Sequence, residues 1–181
     1  MSAVLIVNGS PHKDGNTAAA LRVVEQALQS RGVDTEWLQL KPKPVRGCIA
    51  CRQCQETSHC VFNDDQANEL IDRIVACDGV VIGSPVYFAG PNGALLALLD
   101  RVFFAGSRYG RLFRGKPGAA VVSLWRAGAT AALDRLQKYF LYSEMPIVSS
   151  TYWNMLHGEE DEYGKDTLQT LGENMAELLI Q

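Results

Sequence analysis

Short apolar runs alternate with amphipathic stretches along the whole chain, and this alternation constrains the fold more than any other feature. The first run is Ala3 to Val7, and the helical stretch that follows it extends from about Asn16 to Arg31. A continuous apolar run is typical of a strand that is buried on both faces. Five strand–helix units in succession predict a parallel sheet covered by helices on both faces, with the strand order 2-1-3-4-5.

The remaining elements follow the same pattern. The other predicted strands are Thr35 to Leu40, Gly79 to Gly83, Ala119 to Leu124 and Pro146 to Ser150. The other helices place their apolar residues within positions 67–75, 95–103, 129–140 and 168–179, the first after a cap at Asn63 or Asp64. Because no linker, internal repeat or low-complexity segment divides the sequence, we expect residues 1–181 to form a single α/β domain.

Charge and hydropathy narrow the class of protein. With 17 Lys and Arg against 20 Asp and Glu, the formal net charge is −3, which gives no electrostatic reason to expect nucleic acid or an anionic membrane as a partner. No apolar run approaches the roughly 20 residues that cross a bilayer. The segment from Met1 to Gly9 is predicted to be a strand rather than a signal peptide, so we expect a cytoplasmic protein.

The loop after the first strand, Asn8 to Thr17, contains the residues expected to bind a phosphate group. It leads directly into a helix N-terminus, where backbone N–H groups are free and the helix dipole is positive. Ser10, Asn16 and Thr17 add hydroxyl and amide groups to this cradle. The loop lacks both the Gly-Lys-Ser/Thr ending of a P-loop and the pattern G-x-G-x-x-G. A polar capping loop without a ligand is the alternative interpretation.

Two further loops should border the same crevice, because ligands of open α/β sheets bind where the strand order reverses. The first contains Tyr87 and Phe88, which could wall a flat aromatic ligand but could equally be ordinary core residues. The second contains Arg126, whose charge would stabilise an anionic ring. A solvated surface arginine is the alternative there.

Four of the five cysteines lie close together, with the spacing C-x2-C-x2-C-x5-C. They are Cys48, Cys51, Cys54 and Cys60. A related run in bacterial ferredoxins binds an iron–sulfur cluster, so a [4Fe–4S] cluster is one interpretation. Free or reversibly oxidised thiols are the second interpretation. Zinc is disfavoured because zinc sites usually draw two pairs of ligands from separated knuckles.

The three loops together resemble the NAD(P)H-dependent FMN reductase branch of the flavodoxin-like superfamily. The resemblance rests on residues 8–17 (NGSPHKDGNT), 84–88 (SPVYF) and 152–154 (YWN), and the cysteine segment resembles that of the iron–sulfur flavoproteins in this branch. It implies a flavodoxin-like three-layer sandwich that binds FMN. The implied FMN-binding residues are Ser10, His12, Asn16, Thr17, Ala18, Pro85, Val86, Tyr87, Phe88, Arg126, Ala127 and Gly128.

The resemblance also implies a function. We expect an FMN-dependent oxidoreductase that accepts hydride from NAD(P)H and passes electrons to a quinone, to another small acceptor or to a cluster on the four cysteines. No catalytic side chain is assigned, because flavin N5 carries the chemistry. The alternatives are an electron carrier reduced by a partner such as ferredoxin, and a flavin-binding module with a regulatory role. Relatives of this kind are usually homodimers or homotetramers, so we expect the same here.

Overall fold

A twisted β-sheet runs through the middle of the structure, a computed structural model that describes residues 2–180. The strands are β1 (Ala3–Asn8), β2 (Asp34–Gln39), β3 (Gly79–Tyr87), β4 (Gly90–Pro91), β5 (Gly118–Ser123) and β6 (Met155–Leu156). The helices are α1 (Asn16–Ser30), α2 (Cys54–Thr57), α3 (Ala67–Ala76), α4 (Gly93–Arg108), α5 (Ala129–Tyr142) and α6 (Glu162–Ile180). Among residues 2–180, no helix combines the length and the apolar character that crossing a membrane requires.

Five of the strands are parallel and follow the order β2-β1-β3-β5-β6. This is the order predicted for the five parallel strands, so the flavodoxin-like fold is confirmed. The sixth strand, β4, is an addition to the prediction. It pairs antiparallel with the end of β3, where Tyr87 faces Gly90.

Helices cover the sheet on both sides and enclose two separate apolar cores. On one side α1 and α6 pack against the sheet through residues such as Leu21, Leu28 and Leu171. On the other side α3, α4 and α5 bury residues such as Leu99 and Phe140. Full burial of such a side chain stabilises the fold by about 1.5–3 kcal/mol, which explains why apolar periodicity located these helices.

The predicted strand Pro146 to Ser150 is wrong, because only Ile147 forms an isolated bridge there, to Gly118. The chain then leaves the sheet and returns at β6. The buried Asn154, directly before β6, is hydrogen-bonded to β5. Its carbonyl accepts a hydrogen bond from the backbone N–H of Val122, and its side-chain amide donates one to the carbonyl of Ala120 (3.1 Å). The predicted run thus pairs with β5 only at Gly118, and the backbone and side chain of Asn154 pair with β5 farther along.

Helix α3 begins at Ala67, two or three residues later than a cap at Asp64 or Asn63 would place it. The carboxylate of Asp65 accepts a hydrogen bond from the backbone N–H of Ala67 (3.0 Å) and so partly performs the capping role. The short helix α2 lies within the cysteine segment, which was expected to be a loop without helix.

Candidate functional site

Loops that follow β1, β3 and β5 meet at the carboxyl edge of the sheet, around an open cleft with about 710 Å³ of empty space. Ligands of open parallel sheets bind at this kind of edge, next to the strand at which the order reverses. The cleft is lined by Ser10, His12, Gly15, Asn16, Thr17, Pro85, Val86, Ser123, Leu124, Trp125 and His157. The structure thus brings four of the predicted phosphate-binding residues together with two of the predicted ring-binding residues.

The phosphate loop, residues 8–17, is held in shape by the amide side chain of Asn8. This side chain accepts a hydrogen bond from the backbone N–H of Ser10 (3.1 Å) and donates to the carbonyl of His12 (3.2 Å). Gln39, at the end of β2, bonds to Asn8 and to the carbonyl of Ser10. Sequence reasoning missed both amide residues, although a polar side chain directly after a buried apolar run is a usable signal.

The N-terminus of α1 supplies free donors to the cleft. Gly15 occupies the cap position and has no side chain to satisfy the N–H groups of the first turn. The hydroxyl of Thr17 lies 2.7 Å from that of Ser123, which joins the helix to β5. Ser10 is buried and its hydroxyl accepts from the N–H of His12 (3.1 Å). Backbone N–H groups, hydroxyls and a positive helix dipole suit a phosphate group.

Close packing fixes the beginning of this loop. A Cβ atom on Gly9 would lie 2.4 Å from Leu95 Cδ2 and 2.7 Å from the carbonyl oxygen of Gly83. Asn92, the N-cap of α4, donates from its side-chain amide to the carbonyl of Gly9 (2.8 Å) and accepts from the N–H of Ala94. Asn92 is a further supporting residue that the sequence did not reveal.

The ring-binding residues predicted on β3 are divided between two environments. Pro85 and Val86 line the cleft, whereas Tyr87 and Phe88 do not belong to its lining. Phe88 is fully exposed at the tip of the hairpin between β3 and β4. Phe88 and Ala89 have φ values of 51° and 59°, in the left-handed region that is unfavourable for both side chains.

The loop after β5 approaches the cleft through a residue that was not assigned to the site. Trp125 lines the cleft and is 88% exposed, whereas Arg126, Ala127 and Gly128 are not part of the lining. A Cβ on Gly128 would lie 2.6 Å from the Cα of Ala89, so this loop packs directly against the hairpin turn.

Of the two remaining residues to place, His157 lines the cleft and Ala18 does not. The side chain of Ala18 is buried in α1, so its backbone N–H is the only group it can offer to a phosphate. His157 lies on the far side of the cleft, and its backbone N–H donates to the carboxylate of Asp161 (3.0 Å).

A second, small cavity is lined by all four clustered cysteines. Cys48 and Cys51 are exposed, Cys60 is half-buried and Cys54 is buried at the start of α2. The segment turns back on itself through left-handed residues, which are Ala50, Arg52 and Ser58. Left-handed non-glycine residues cost free energy and tend to gather at functional sites.

The four thiols are the donor set that a [4Fe–4S] cluster takes, with one thiolate on each iron. Within residues 2–180, no group of three or more His, Cys, Asp or Glu side chains is arranged to hold a metal ion. A four-iron cluster attaches each thiolate to its own iron, so its cysteines stand farther apart than the ligands of one zinc. Burial raises the pKa of the Cys54 thiol. A backbone hydrogen bond lowers this pKa, and charge repulsion from Cys51, Cys48 and Cys60 raises it further.

Known proteins similar to this chain include iron–sulfur flavoproteins and a flavodoxin. An iron–sulfur flavoprotein of Methanocaldococcus jannaschii is 30% identical over 97% of this chain and 96% of its own. A second iron–sulfur flavoprotein of that organism is 27% identical over 90% of this chain and 89% of its own. Among solved structures, a flavodoxin from the domain Archaea superposes with a TM-score of 0.68 at 15% identity, with complete coverage of both chains.

The family assignment comes from residues 2–160, which include the phosphate loop, the cysteine segment, the β3–β4 hairpin and the loop after β5. This region matches the family described as NADPH-dependent FMN reductase. The chain therefore belongs to the NADPH-dependent FMN reductase family.

Proposed function

We propose that this protein is an FMN-dependent oxidoreductase that accepts hydride from NAD(P)H and passes electrons to a small acceptor such as a quinone, or to an iron–sulfur cluster on its own cysteines. The observation that carries the proposal is the uncapped N-terminus of α1, which opens into the cleft beside two buried hydroxyls. Membership of the NADPH-dependent FMN reductase family supports the same conclusion.

The phosphate of FMN would lie on the first turn of α1. Ser10 and Thr17 would offer hydroxyls, Asn16 its amide, and the helix its free N–H groups and positive dipole. His12 is exposed at the same place and also lines the cleft. When bound, FMN supplies the redox chemistry, which is hydride acceptance from NAD(P)H and electron delivery to an acceptor.

The ring would lie along Pro85 and Val86, with Trp125 on the opposite wall. The cleft is open to solvent on its outer side, which leaves room for a nicotinamide ring to stack on the flavin. We assign Tyr87, Phe88 and the segment Arg126 to Gly128 to the outer rim of this site. Because the Phe88 and Trp125 rings are so exposed, we further propose that a homodimer or homotetramer covers them.

The four cysteines would hold a [4Fe–4S] cluster. They line one cavity, and the two Methanocaldococcus jannaschii relatives are named iron–sulfur flavoproteins. A second candidate function is an electron carrier reduced by a protein partner such as ferredoxin. The exposure of Cys48 and Cys51 favours it, because a partner could approach the cluster directly.

One preparation separates these functions. The protein is purified without oxygen, and its visible spectrum, iron, acid-labile sulfide and turnover with NADH and NADPH are measured. Flavin bands with about four irons per chain and rapid turnover support the full proposal. Iron with flavin but negligible turnover favours the electron carrier. Flavin without iron leaves a plain FMN reductase, and failure to bind added FMN rejects the proposal.

The phosphate assignment has its own test. We expect Asn16→Ala to weaken FMN binding by about 10- to 100-fold, because hydrogen bonds to charged groups contribute about 1.5–3 kcal/mol. Riboflavin, which lacks the phosphate, should bind the variant and the parent equally. Gln26→Ala, on an exposed turn of the same helix, is the matched control. Equal weakening of both flavins would contradict the assignment.

A further inference from the structure

Arg101 is a buried arginine in the middle of α4, and only 2% of it is exposed. It lies on the side of the helix that faces the cysteine segment. Arginine is rarely buried to this extent, because an unpaired charge in the protein interior is very costly. Such a residue persists only when its charge and its donors are matched.

Every N–H donor of this guanidinium has an acceptor. Nη1 and Nη2 form a two-pronged ion pair with the carboxylate of Asp65, whose side chain is 4% exposed. The same nitrogens donate to the carbonyls of Arg46 (3.2 Å) and Phe62 (3.3 Å). The remaining donor, Nε, points at Cys60 Sγ at 3.2 Å. These bonds use all five donors that an arginine possesses.

Cys60 is held in place through both its backbone and its sulfur. Its backbone N–H donates to the side chain of Asn68 (2.7 Å), and its carbonyl accepts from the same side chain (2.8 Å). Its sulfur receives the Nε donor of Arg101. In the part of the chain that the structure describes, no other cysteine sulfur has a side-chain hydrogen-bond donor. The four thiols are thus not equivalent, and Cys60 is the one whose sulfur accepts a hydrogen bond from a buried side chain.

We propose that Arg101 is a positioning residue of the cysteine site, which fixes the Cys60 sulfur and raises the reduction potential of the iron–sulfur cluster bound there. The inference rests on the cluster of the proposed function. Reduction adds negative charge to the cluster and its sulfur ligands. A donor held against one of those sulfurs stabilises the reduced form more than the oxidised form, and hydrogen bonds to sulfur are among the factors that set cluster potentials.

Asp65 limits the part that net charge plays in this effect. Its carboxylate pairs with the guanidinium and cancels most of the positive charge. We therefore expect the Nε–H···Sγ hydrogen bond, rather than net charge, to raise the reduction potential. A substitution of Arg101 alone would leave the Asp65 charge buried without a partner and would destabilise the fold. The test therefore needs one variant that keeps the charge and one that removes both partners.

The measurement is the midpoint potential of the cluster in the FMN-loaded protein, from a redox titration followed by electron paramagnetic resonance. The double variant Arg101→Met/Asp65→Asn loses the donor without leaving an unpaired charge. We expect its potential to fall by at least the equivalent of a tenfold change in the reduction equilibrium, about 59 mV for one electron. Arg101→Lys keeps the positive charge but loses the planar guanidinium with its fixed donors. Its potential should fall by less than that of the double variant.

The control is Arg135→Met, which removes a half-exposed arginine paired with Asp100 on α4. This variant should not lower the potential. An unchanged potential in both Arg101 variants would overturn the inference and leave the proposed function intact. A folded Arg101→Lys protein that binds no iron would also overturn it, since Arg101 would then serve assembly alone. A parent protein without iron after reconstitution would reject the cluster itself, while FMN binding would be unaffected.

Discussion

Gly9 is the position where the phosphate loop tolerates the least additional volume. A methyl group there would overlap Leu95 and the carbonyl of Gly83, and the second of these is backbone that cannot move away. We expect Gly9→Ala to destabilise the protein by about 1–3 kcal/mol, the usual cost of overpacking, and to weaken FMN binding as the loop shifts. Urea unfolding of the flavin-free protein and a flavin titration measure the two effects.

Gly93→Ala is the control for that substitution. Gly93 is the first residue of α4, and a Cβ there would meet no atom within 4 Å. The control should leave stability within about 0.5 kcal/mol of the parent, as most surface substitutions do. If Gly9→Ala behaves like Gly93→Ala, the loop is looser than its packing indicates.

At the scale of single residues, the sequence identified side chains whose chemistry is local. Ser10 and Thr17 could be proposed for a phosphate site because Ser10 follows a buried strand and Thr17 lies in the first turn of the next helix. The pairing of Arg101 with Asp65 and Cys60 could not be inferred, because these residues are far apart in the chain and Arg101 interrupts an otherwise apolar helical pattern. Only the packing of α4 against the cysteine segment brings them together.

Asp161 organises the start of α6, the helix whose preceding loop contributes His157 to the cleft. Its carboxylate accepts from the N–H of Gly164 (2.9 Å) and from that of His157 (3.0 Å). Burial by itself would raise the pKa of Asp161, but these two donors outweigh it, and the pKa lies below its usual value. The negative charge also complements the helix dipole.

We expect Asp161→Ala to lower the free energy of unfolding by about 1 kcal/mol, the usual cost of a lost cap. Because the folded-state pKa is depressed, the stabilisation is complete above the unfolded pKa of about 3.9 and disappears as the pH falls through the folded value. Chemical denaturation of parent and variant from pH 7 to pH 2 should show the difference shrinking. Asp166→Ala, at an exposed position of the same helix, should show neither effect.

At the scale of elements, the sequence predicted β1 and the helices α1, α3, α4 and α5, because the spacing of their apolar residues matches the buried positions. The last strand could not. Ile147 and Val148 have the pattern of a strand, yet β5 pairs mainly with Asn154 and β6. The pairing of an edge strand depends on partners distant in sequence, and a short run of two apolar residues is too weak to determine it.

Flavin binding should alter the stability of the whole molecule. A ligand that binds only the folded state stabilises it by about 2.7 kcal/mol at one hundred times its dissociation constant. For a chain of this length we expect the melting temperature to rise by about 5–10 °C. Thermal unfolding of the flavin-free protein with FMN measures this shift, and equal concentrations of riboflavin should give a smaller one. No shift with FMN would mean that the cleft does not bind it.

The general location of the site could be predicted at this scale, whereas its boundary could not. Parallel strand order places the three loops at one edge, so their meeting around one cleft followed from topology. The proposed ring-binding part depends on how the β3–β4 hairpin folds, and Tyr87 and Phe88 do not line the cleft. The turn itself is Phe88-Ala89, and not the Asn-Gly or Asp-Gly pair that signals a two-residue turn.

The turn formed by Phe88 and Ala89 also has a consequence for laboratory evolution. Both residues occupy a conformation that glycine and asparagine adopt at much lower cost, and the Phe88 ring is fully exposed. Selection for thermostability alone should therefore replace this pair early, whereas selection for electron transfer should retain the aromatic ring. Parallel libraries under the two selections would show whether this protein sacrifices stability at the hairpin in exchange for activity.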